Sequence, residues 1–242
     1  MPDLRSTARR GFNALGYDLR KLSGELGQNA FLDMRALSGH RAGTVVADVG
    51  ANIGQTVHRL RASLDAPVIH AFEPGPSTFA ELERRTAGIP DLFLTNCALG
   101  AEAGTLELNQ NTHSDMSSFL EIGADGWGEV QAKTPVEIKP LDEYCAERSI
   151  EYLDVLKSDT QGYDLEVLKG AKTLLAERRI QLVFIELNLN ESYEGLPRLD
   201  TIIGFLLDHG FHLVSFYNFH YQNDRASWAD ALFICPDFVG RA

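Results

Sequence analysis

Cysteine is scarce in this chain of 242 residues: Cys97, Cys145 and Cys235 are its only three, and they are widely spaced. That spacing suits neither a disulfide framework nor a zinc motif, and the simple inference is a reduced, cytoplasmic compartment. Positive charge is short as well. Against 34 Asp and Glu there are 22 Lys and Arg, a formal net charge of −12, which argues against nucleic acid as the main partner. No apolar run approaches the length of a membrane span, so no membrane partner is expected. Thr7-Ala8-Arg9-Arg10-Gly11-Phe12 resembles a twin-arginine export signal, but Asp18, Arg20, Lys21 and Glu25 interrupt the apolar region such a signal needs. Export is rejected. Internal repeats, low-complexity tracts and linkers are absent too. What remains is a sequence of ordinary globular composition, 44% hydrophobic, sized for one α/β domain with a small N-terminal addition.

The chain is organised around residues 44–54, Thr44-Val45-Val46-Ala47-Asp48-Val49-Gly50-Ala51-Asn52-Ile53-Gly54. Its first half is β-branched and small, as a strand buried on both faces must be. Its second half is a turn with Gly50 and Gly54 where backbone bends or approaches a ligand closely. Gln55 to Leu64 follows as a helix, with Val57, Leu60 and Leu64 at helical spacing. Strand, glycine turn and helix together present backbone N–H groups to a nucleotide-like ligand. A second strand, Pro67 to Phe72, ends on Glu73-Pro74. An acid there, roughly 20 residues past the turn, is placed to accept both ribose hydroxyl protons of an adenosine. Dinucleotide enzymes and S-adenosylmethionine enzymes share this device, so the pair alone does not choose between them.

The rest reads as alternating strands and helices. Residues 1–42 are expected to form a helical extension, with Leu15, Leu19, Leu22 and Leu26 on one face; it packs on the core, caps the cleft or serves a homodimer contact. Residues 43–242 form the main domain. Pro76 starts a helix to about Ala87, Asp91 to Asn96 is a strand, and Gly104 to Asn109 a half-exposed one. Gln110 to Thr134 is expected to be an active-site lid carrying His113, Asp115, Ser117, Ser118 and Trp127. Val136 to Lys139 is a strand, Leu141 to Arg148 a helix, and Tyr152 to Ser158 a strand that ends on Asp159. Asp164 caps a helix to Arg178. Ile180 to Ile185 is a strand that ends on Glu186, and Pro197 to His209 a helix. His212 to Tyr217 and Ala231 to Cys235 close the chain as an antiparallel pair, joined by a polar loop that holds His220.

In order, Asp48 to Gly54, Ala71-Phe72-Glu73-Pro74, Asn96-Cys97-Ala98-Leu99-Gly100 and Leu156 to Gly170 resemble the FkbM-type S-adenosylmethionine-dependent methyltransferases over about residues 44–236. The resemblance implies a Rossmann-like class I methyltransferase fold, α/β, with a seven-stranded, mostly parallel sheet, an antiparallel last strand and helices on both faces. It implies S-adenosyl-L-methionine as cofactor. Asp48, Gly50, Asn52 and Gly54 would line its methionine end, Glu73 and Pro74 its ribose, and Cys97 and Ala98 its adenine. Met116-Ser117-Ser118 resembles a serine-rich family segment near the cofactor. The chain departs from the family where Lys157-Ser158-Asp159-Thr160-Gln161-Gly162-Tyr163-Asp164 stands for Lys-Ile-Asp-Val-Glu-Gly and a second Glu: Gln161 replaces one acid and Asp164 shortens the other.

Many members methylate oxygen on sugars or natural products, so the expected substrate is a small hydroxylated acceptor. Methyl transfer is an in-line displacement in which the protein supplies alignment, and an alcohol must also lose its proton. Asp159, His113 and His220 are the candidates to take that proton; the other histidines lie in or beside predicted elements. Asp159 and Glu186, side by side if their strands are neighbours, are with Asn188 a candidate Mg²⁺ site of hard oxygen ligands. Two alternatives stand beside the O-methyltransferase: a dinucleotide oxidoreductase, and a non-catalytic cofactor-binding protein suggested by Gln161.

Overall fold

The computed structural model describes residues 25–240 together with Phe12, Ala14 and Leu15. Leu19 and Leu22 of the expected N-terminal helix face lie outside the described residues. In chain order the strands are β1 (Val45–Val49), β2 (Val68–Phe72), β3 (Leu92–Thr95), β4 (Ala98–Leu99), β5 (Gly104–Asn111), β6 (Val130–Lys139), β7 (Leu153–Ser158), β8 (Ile180–Asn188), β9 (His212–Gln222) and β10 (Arg225–Ile234). The helices are α1 (Ala30–Leu37), α2 (Gln55–Ser63), α3 (Pro76–Thr86), α4 (Leu141–Glu147), α5 (Asp164–Lys169), α6 (Lys172–Ala176) and α7 (Leu199–Asp208). A seven-stranded sheet runs β3-β2-β1-β7-β8-β10-β9, and a smaller sheet β4-β6-β5 stands beside it. Pairings are parallel from β3 to β8, while β10 is antiparallel to both β8 and β9. The last strand is thus the reversed one, as expected. Among the described residues no helix is long and apolar enough to cross a membrane.

Side-chain alternation on β1 explains the two cores. Ala47 and Val49 belong to one buried cluster with Leu141, Leu168, Leu175 and Ile202 from the later helices. Val46 belongs to the other, with Met34, Val57, Leu60 and Leu82 from α1, α2 and α3. Both faces of the central strands are covered, which is why their sequences are apolar throughout. On the second face the apolar pattern changes to polar near the carboxyl ends: Val46 gives way to Asp48, Val155 to Lys157, Phe184 to Glu186 and Leu232 to Asp230. Strand pairing sets Asp48 beside Lys157 and Glu186 beside Asp230.

Four expectations are corrected. The polar loop expected from Asn218 to Asp230 is mostly strand, because Asn223 and Asp224 both take left-handed φ, +51° and +61°, and close β9 and β10 with a two-residue turn. A bulge between Tyr217 and His220, with Asn218 at φ +50°, shifts the register there. The lid is shorter than 110–134: β5 runs to Asn111 and β6 begins at Val130, leaving residues 112–129. The helix expected from Asp164 to Arg178 is two, broken at Gly170, whose α-carbon sits so near the Gly100 carbonyl that a Cβ would lie 2.1 Å from the oxygen. Finally, β8 continues past Ile185, so Glu186 lies within the strand and Asn188 ends it.

Candidate active site

Gly50 leaves β1 with φ +74°, and a Cβ there would lie 1.9 Å from the Asp159 carbonyl oxygen. Only glycine lets the ends of β1 and β7 meet this closely. The Gly50 and Ala51 N–H groups donate to the Phe72 carbonyl, and Asn52 follows at φ +47°. This turn aims the Asn52 N–H at Glu73 Oε2 (3.0 Å), while the Gly75 N–H donates to Oε1 (2.8 Å). Glu73 is buried, and burial pushes its carboxyl up to about 7 although the two N–H groups pull it back. Two oxygens that each take one backbone N–H keep lone pairs for further donors.

Glu73 faces a cavity beyond the ends of β1, β2 and β7. Gly50, Asn52, Pro74, Cys97, Ala98, Ser117, Ser118 and Asp159 line it, so sequence reasoning and structure bring these residues to one place. Other lining residues were not singled out from sequence as site residues, among them Phe72, Leu99 and Leu108 from the strands, and the tilted ring pair Phe119–Tyr163 with centroids 4.8 Å apart. Nothing local marks Phe119 or Tyr163, which meet where the lid packs on the segment after β7. The residues present fit S-adenosylmethionine: a fixed carboxylate for vicinal hydroxyls, apolar walls and rings for a flat base, and a glycine turn beside a carboxylate. Burial raises the Cys97 thiol to about 11, so this side chain acts as an apolar wall.

Two residues expected at the cofactor do not line this cavity. Asp48 is fully buried and lines neither this cavity nor the one described next. Lys157 Nζ lies 3.1 Å from its Oδ1 but donates to the Val49 and Gly50 carbonyls at 3.2 and 2.9 Å. Both Asp48 oxygens lack a hydrogen bond, and burial raises that carboxyl although Lys157 opposes the rise. Burial also opposes the charge of Lys157, but Asp48 and Asp159 outweigh it and hold the ammonium above its ordinary range. Gly54 turns away from the cavity, with φ +95°. A Cβ there would meet Thr86 Cγ2 at 2.8 Å and Leu82 Cδ1 at 3.1 Å, so it is a glycine for packing α2 on α3.

A second cavity, about 390 Å³, opens on the other side of the glycine turn. Gly50, Asn52, Asp115, Asp159 and Gln161 line both, forming a shared wall. Glu186, Asn188, His220 and Trp228 line the second. Gln161, at φ +54°, sits at the centre of the wall. Its Nε2 donates to Asp159 Oδ1 (2.9 Å) and Glu186 Oε1 (3.1 Å), its Oε1 accepts from the Tyr193 hydroxyl (2.8 Å), and its carbonyl accepts from Ser118 Oγ (2.7 Å). Burial, then the charges of Asp159, Asp164 and Asp230, hold the Glu186 carboxyl well above the ordinary range. The stacked His220–Trp228 pair, centroids 4.5 Å apart, follows from their cross-strand pairing.

The structure does not bring His113, expected as a candidate base, to either cavity. It is exposed and lies at the start of a 3-10 turn (Ser114–Met116). The Mg²⁺ site is corrected on its donors. The N–H groups of Gln161 point at both Asp159 and Glu186, and Lys157 Nζ lies 3.7 Å from Asp159 Oδ2. Ammonium and amide donors face the oxygens a hard cation would need. Among the described residues no group of three or more His, Cys, Asp or Glu is gathered as a ligand set.

The remaining lid residues are held on three sides. Ser114 Oγ donates to Asn52 Oδ1 (3.0 Å), and Ser117 Oγ accepts from the Asn111 N–H (3.1 Å). Asp125 accepts from Arg225 on β10 at 2.7 Å and from the Glu191 N–H at 3.2 Å, tying the lid to the hairpin tip and the segment after β8. Trp127 packs edge-on to Trp228, centroids 5.8 Å apart.

The family model described as the methyltransferase FkbM domain matches residues 48–213. The 31-O-demethyl-FK506 methyltransferase FkbM of Streptomyces tacrolimicus is 30% identical over 207 residues, covering 72% of this chain and 75% of that protein. The 2-O-methyltransferase NoeI of Sinorhizobium fredii is 24% identical over 173 residues, 67% of this chain and 70% of NoeI. Among solved structures, a putative rRNA-methylase from Clostridium thermocellum is similar in fold, with a TM-score of 0.50 and 9% identity over 86% of this chain and 95% of that one.

Proposed function

Because the chain belongs to the FkbM methyltransferase family, and so is an S-adenosylmethionine-dependent methyltransferase, we propose that it methylates a hydroxyl of a small glycosyl or secondary-metabolite acceptor. Membership removes the oxidoreductase and non-catalytic alternatives. The observation that carries the reading is the wall of Gly50, Asn52, Asp115, Asp159 and Gln161 between two cavities. One side suits a nucleoside and the other is open to an acceptor. The names of the two relatives, each an O-methyltransferase by its position of action, support oxygen as the acceptor atom.

S-adenosylmethionine supplies an electrophilic methyl on a sulfonium, and its transfer to a hydroxyl leaves a neutral thioether and one proton. Glu73 is assigned to the ribose hydroxyls, Cys97 and Ala98 to the adenine side, and Gly50 and Asn52 to the methionine side. Asp159 is assigned as the proton acceptor, because it ends β7 on the wall shared by both cavities, while Glu186 is held toward its neutral form and Asp115 lies exposed in the lid. His220 lines only the acceptor cavity and is the second candidate.

The test is Asp159→Asn. With a methylated acceptor in hand, kcat is expected to fall about 10²–10⁴-fold, while calorimetric affinity for S-adenosylhomocysteine changes less than about tenfold. A variant that keeps its kcat while His220→Ala loses it transfers the role to His220.

A further inference from the structure

We infer that Tyr193 is a positioning residue that couples the lid to the proton acceptor: the single proton of its hydroxyl is shared between the Met116 carbonyl of the lid and the amide oxygen of Gln161, whose Nε2 holds Asp159. The inference rests on the reading of Asp159 as proton acceptor given above.

Tyr193 stands in the segment after β8, which runs beside the lid. Its backbone forms an antiparallel bridge with Ile122. The Gly123 N–H donates to the Ser192 carbonyl at 3.0 Å, and the Glu194 N–H to the Glu121 carbonyl at 2.9 Å. These bonds fix the tyrosine to the lid, and its buried ring carries the hydroxyl inward to the turn after β7. Two acceptors meet the hydroxyl there, Gln161 Oε1 at 2.8 Å and the Met116 carbonyl at 3.2 Å. A phenol has one proton and cannot satisfy both. Burial raises this phenol above its ordinary range, so the proton stays on the oxygen.

That proton decides which way the Gln161 amide faces. Given to Oε1, it leaves Nε2 turned to Asp159 and Glu186, at 2.9 and 3.1 Å. Given to Met116, it turns a phenol lone pair to the amide, and Nε2 becomes the end that the phenol attracts. Glu186 does not choose between the two. A carboxyl held toward its neutral form donates to Oε1 as readily as it accepts from Nε2. With the amide reversed, Asp159 Oδ1 loses the donor that fixes it at the end of β7. The shorter contact is to Gln161, so the structure holds the clamped arrangement, with the Met116 carbonyl as competitor. Met116 belongs to the lid and lines the acceptor cavity, so the position of the lid sets the strength of that competition.

The test makes two measurements on the full chain. The first, amide exchange in residues 114–118, needs no acceptor. Tyr193→Phe removes the donor from Met116 and should speed exchange there by about threefold or more. Gln161→Met leaves the proton to Met116 alone and should slow it. The second is turnover of a methylated acceptor. Tyr193→Phe should lower kcat on the order of 10–100-fold. KM and the affinity for S-adenosylhomocysteine should change less than about threefold. Added to Gln161→Met, Tyr193→Phe should cost less than about twofold more, as expected of residues that act through one another. If Tyr193→Phe fails to fold, seen as lost S-adenosylhomocysteine binding, the kcat loss and the slowed exchange are read in Gln161→Met. Exchange that moves the same way in both variants, an unchanged kcat in either, or costs that multiply in the double variant overturns the inference. An Asp159→Asn variant that keeps its kcat would instead remove the proton-acceptor reading on which it rests.

Discussion

Glu73 makes cofactor binding depend on pH in a direction that the structure fixes. Its carboxyl is pushed up to about 7 in the ligand-free protein by burial, which outweighs the N–H groups of Gly75 and Asn52. Only the ionised form can accept from both ribose hydroxyls, since a protonated oxygen has become a donor. At pH 6 about one Glu73 in eleven is ionised, and at pH 8 about ten in eleven, given a value of about 7. Affinity for S-adenosylhomocysteine should therefore rise about tenfold from pH 6 to pH 8 and then level off.

The same shift sets a stability trend. The folded state holds a proton that the unfolded chain, with Glu73 at its ordinary 4.5, releases earlier. Stability from this group is complete below pH 4.5 and is lost as pH rises through about 7, a change on the order of 3 kcal/mol. Calorimetric titrations at pH 6, 7 and 8, in two buffers of different ionisation heat, measure both affinity and proton release. Glu73→Gln separates the protein's contribution from the ligand's own amino group: the variant should bind more weakly and lose the slope. A wild-type affinity that is flat between pH 6 and 8, or a slope that survives in Glu73→Gln, refutes the reasoning.

Two further outcomes follow from groups outside the cofactor cavity. Lys157→Met leaves the fully buried Asp48 without its counter-ion and should cost about 3–5 kcal/mol in urea unfolding, with Asp48→Asn in the same chain recovering part of the loss. Arg225→Ala removes the 2.7 Å tie from the hairpin tip to Asp125. Faster amide exchange in residues 121–127 with little change in melting temperature is expected, and unchanged exchange would show that the Glu191 and Asn223 contacts hold the lid alone.

The sequence made the parallel half of the fold legible because its strands are buried on both faces and its glycine turn follows β1 directly. Strands β1, β2 and β7 fell within a residue of their expected bounds for that reason. The antiparallel half was harder to read. Strands β9 and β10 carry Asn218, His220, Gln222, Arg225 and Asp230 on partly exposed positions, and polarity there resembles a loop. The signal that was present is Asn223-Asp224, a pair suited to two left-handed positions between strands. Reading it would have paired β9 with β10, although Trp228 comes opposite His220 only through a register shift after Ala226 that the turn does not announce. Gly54 was ambiguous for a different reason. A glycine needed for helix packing and one needed for ligand approach look the same until Leu82 and Thr86 of α3 are placed against it.

The departure at Gln161 supports catalysis rather than its loss. Strand order alone sets Asp159 and Glu186 close together, with Asp164 and Asp230 near enough to raise Glu186. A third carboxylate at position 161 would sit within hydrogen-bonding range of both, and like charges so close drive one another toward the neutral form. An amide there does the opposite. Its two N–H groups hold both carboxyls in place, and its oxygen is satisfied by Tyr193, so no polar atom of the side chain is stranded. Lys157 adds the one ammonium of the wall, already shared with Asp48. Asp159 is thereby held at the end of β7 on the wall between the two cavities, the position from which it is proposed to take the acceptor's proton.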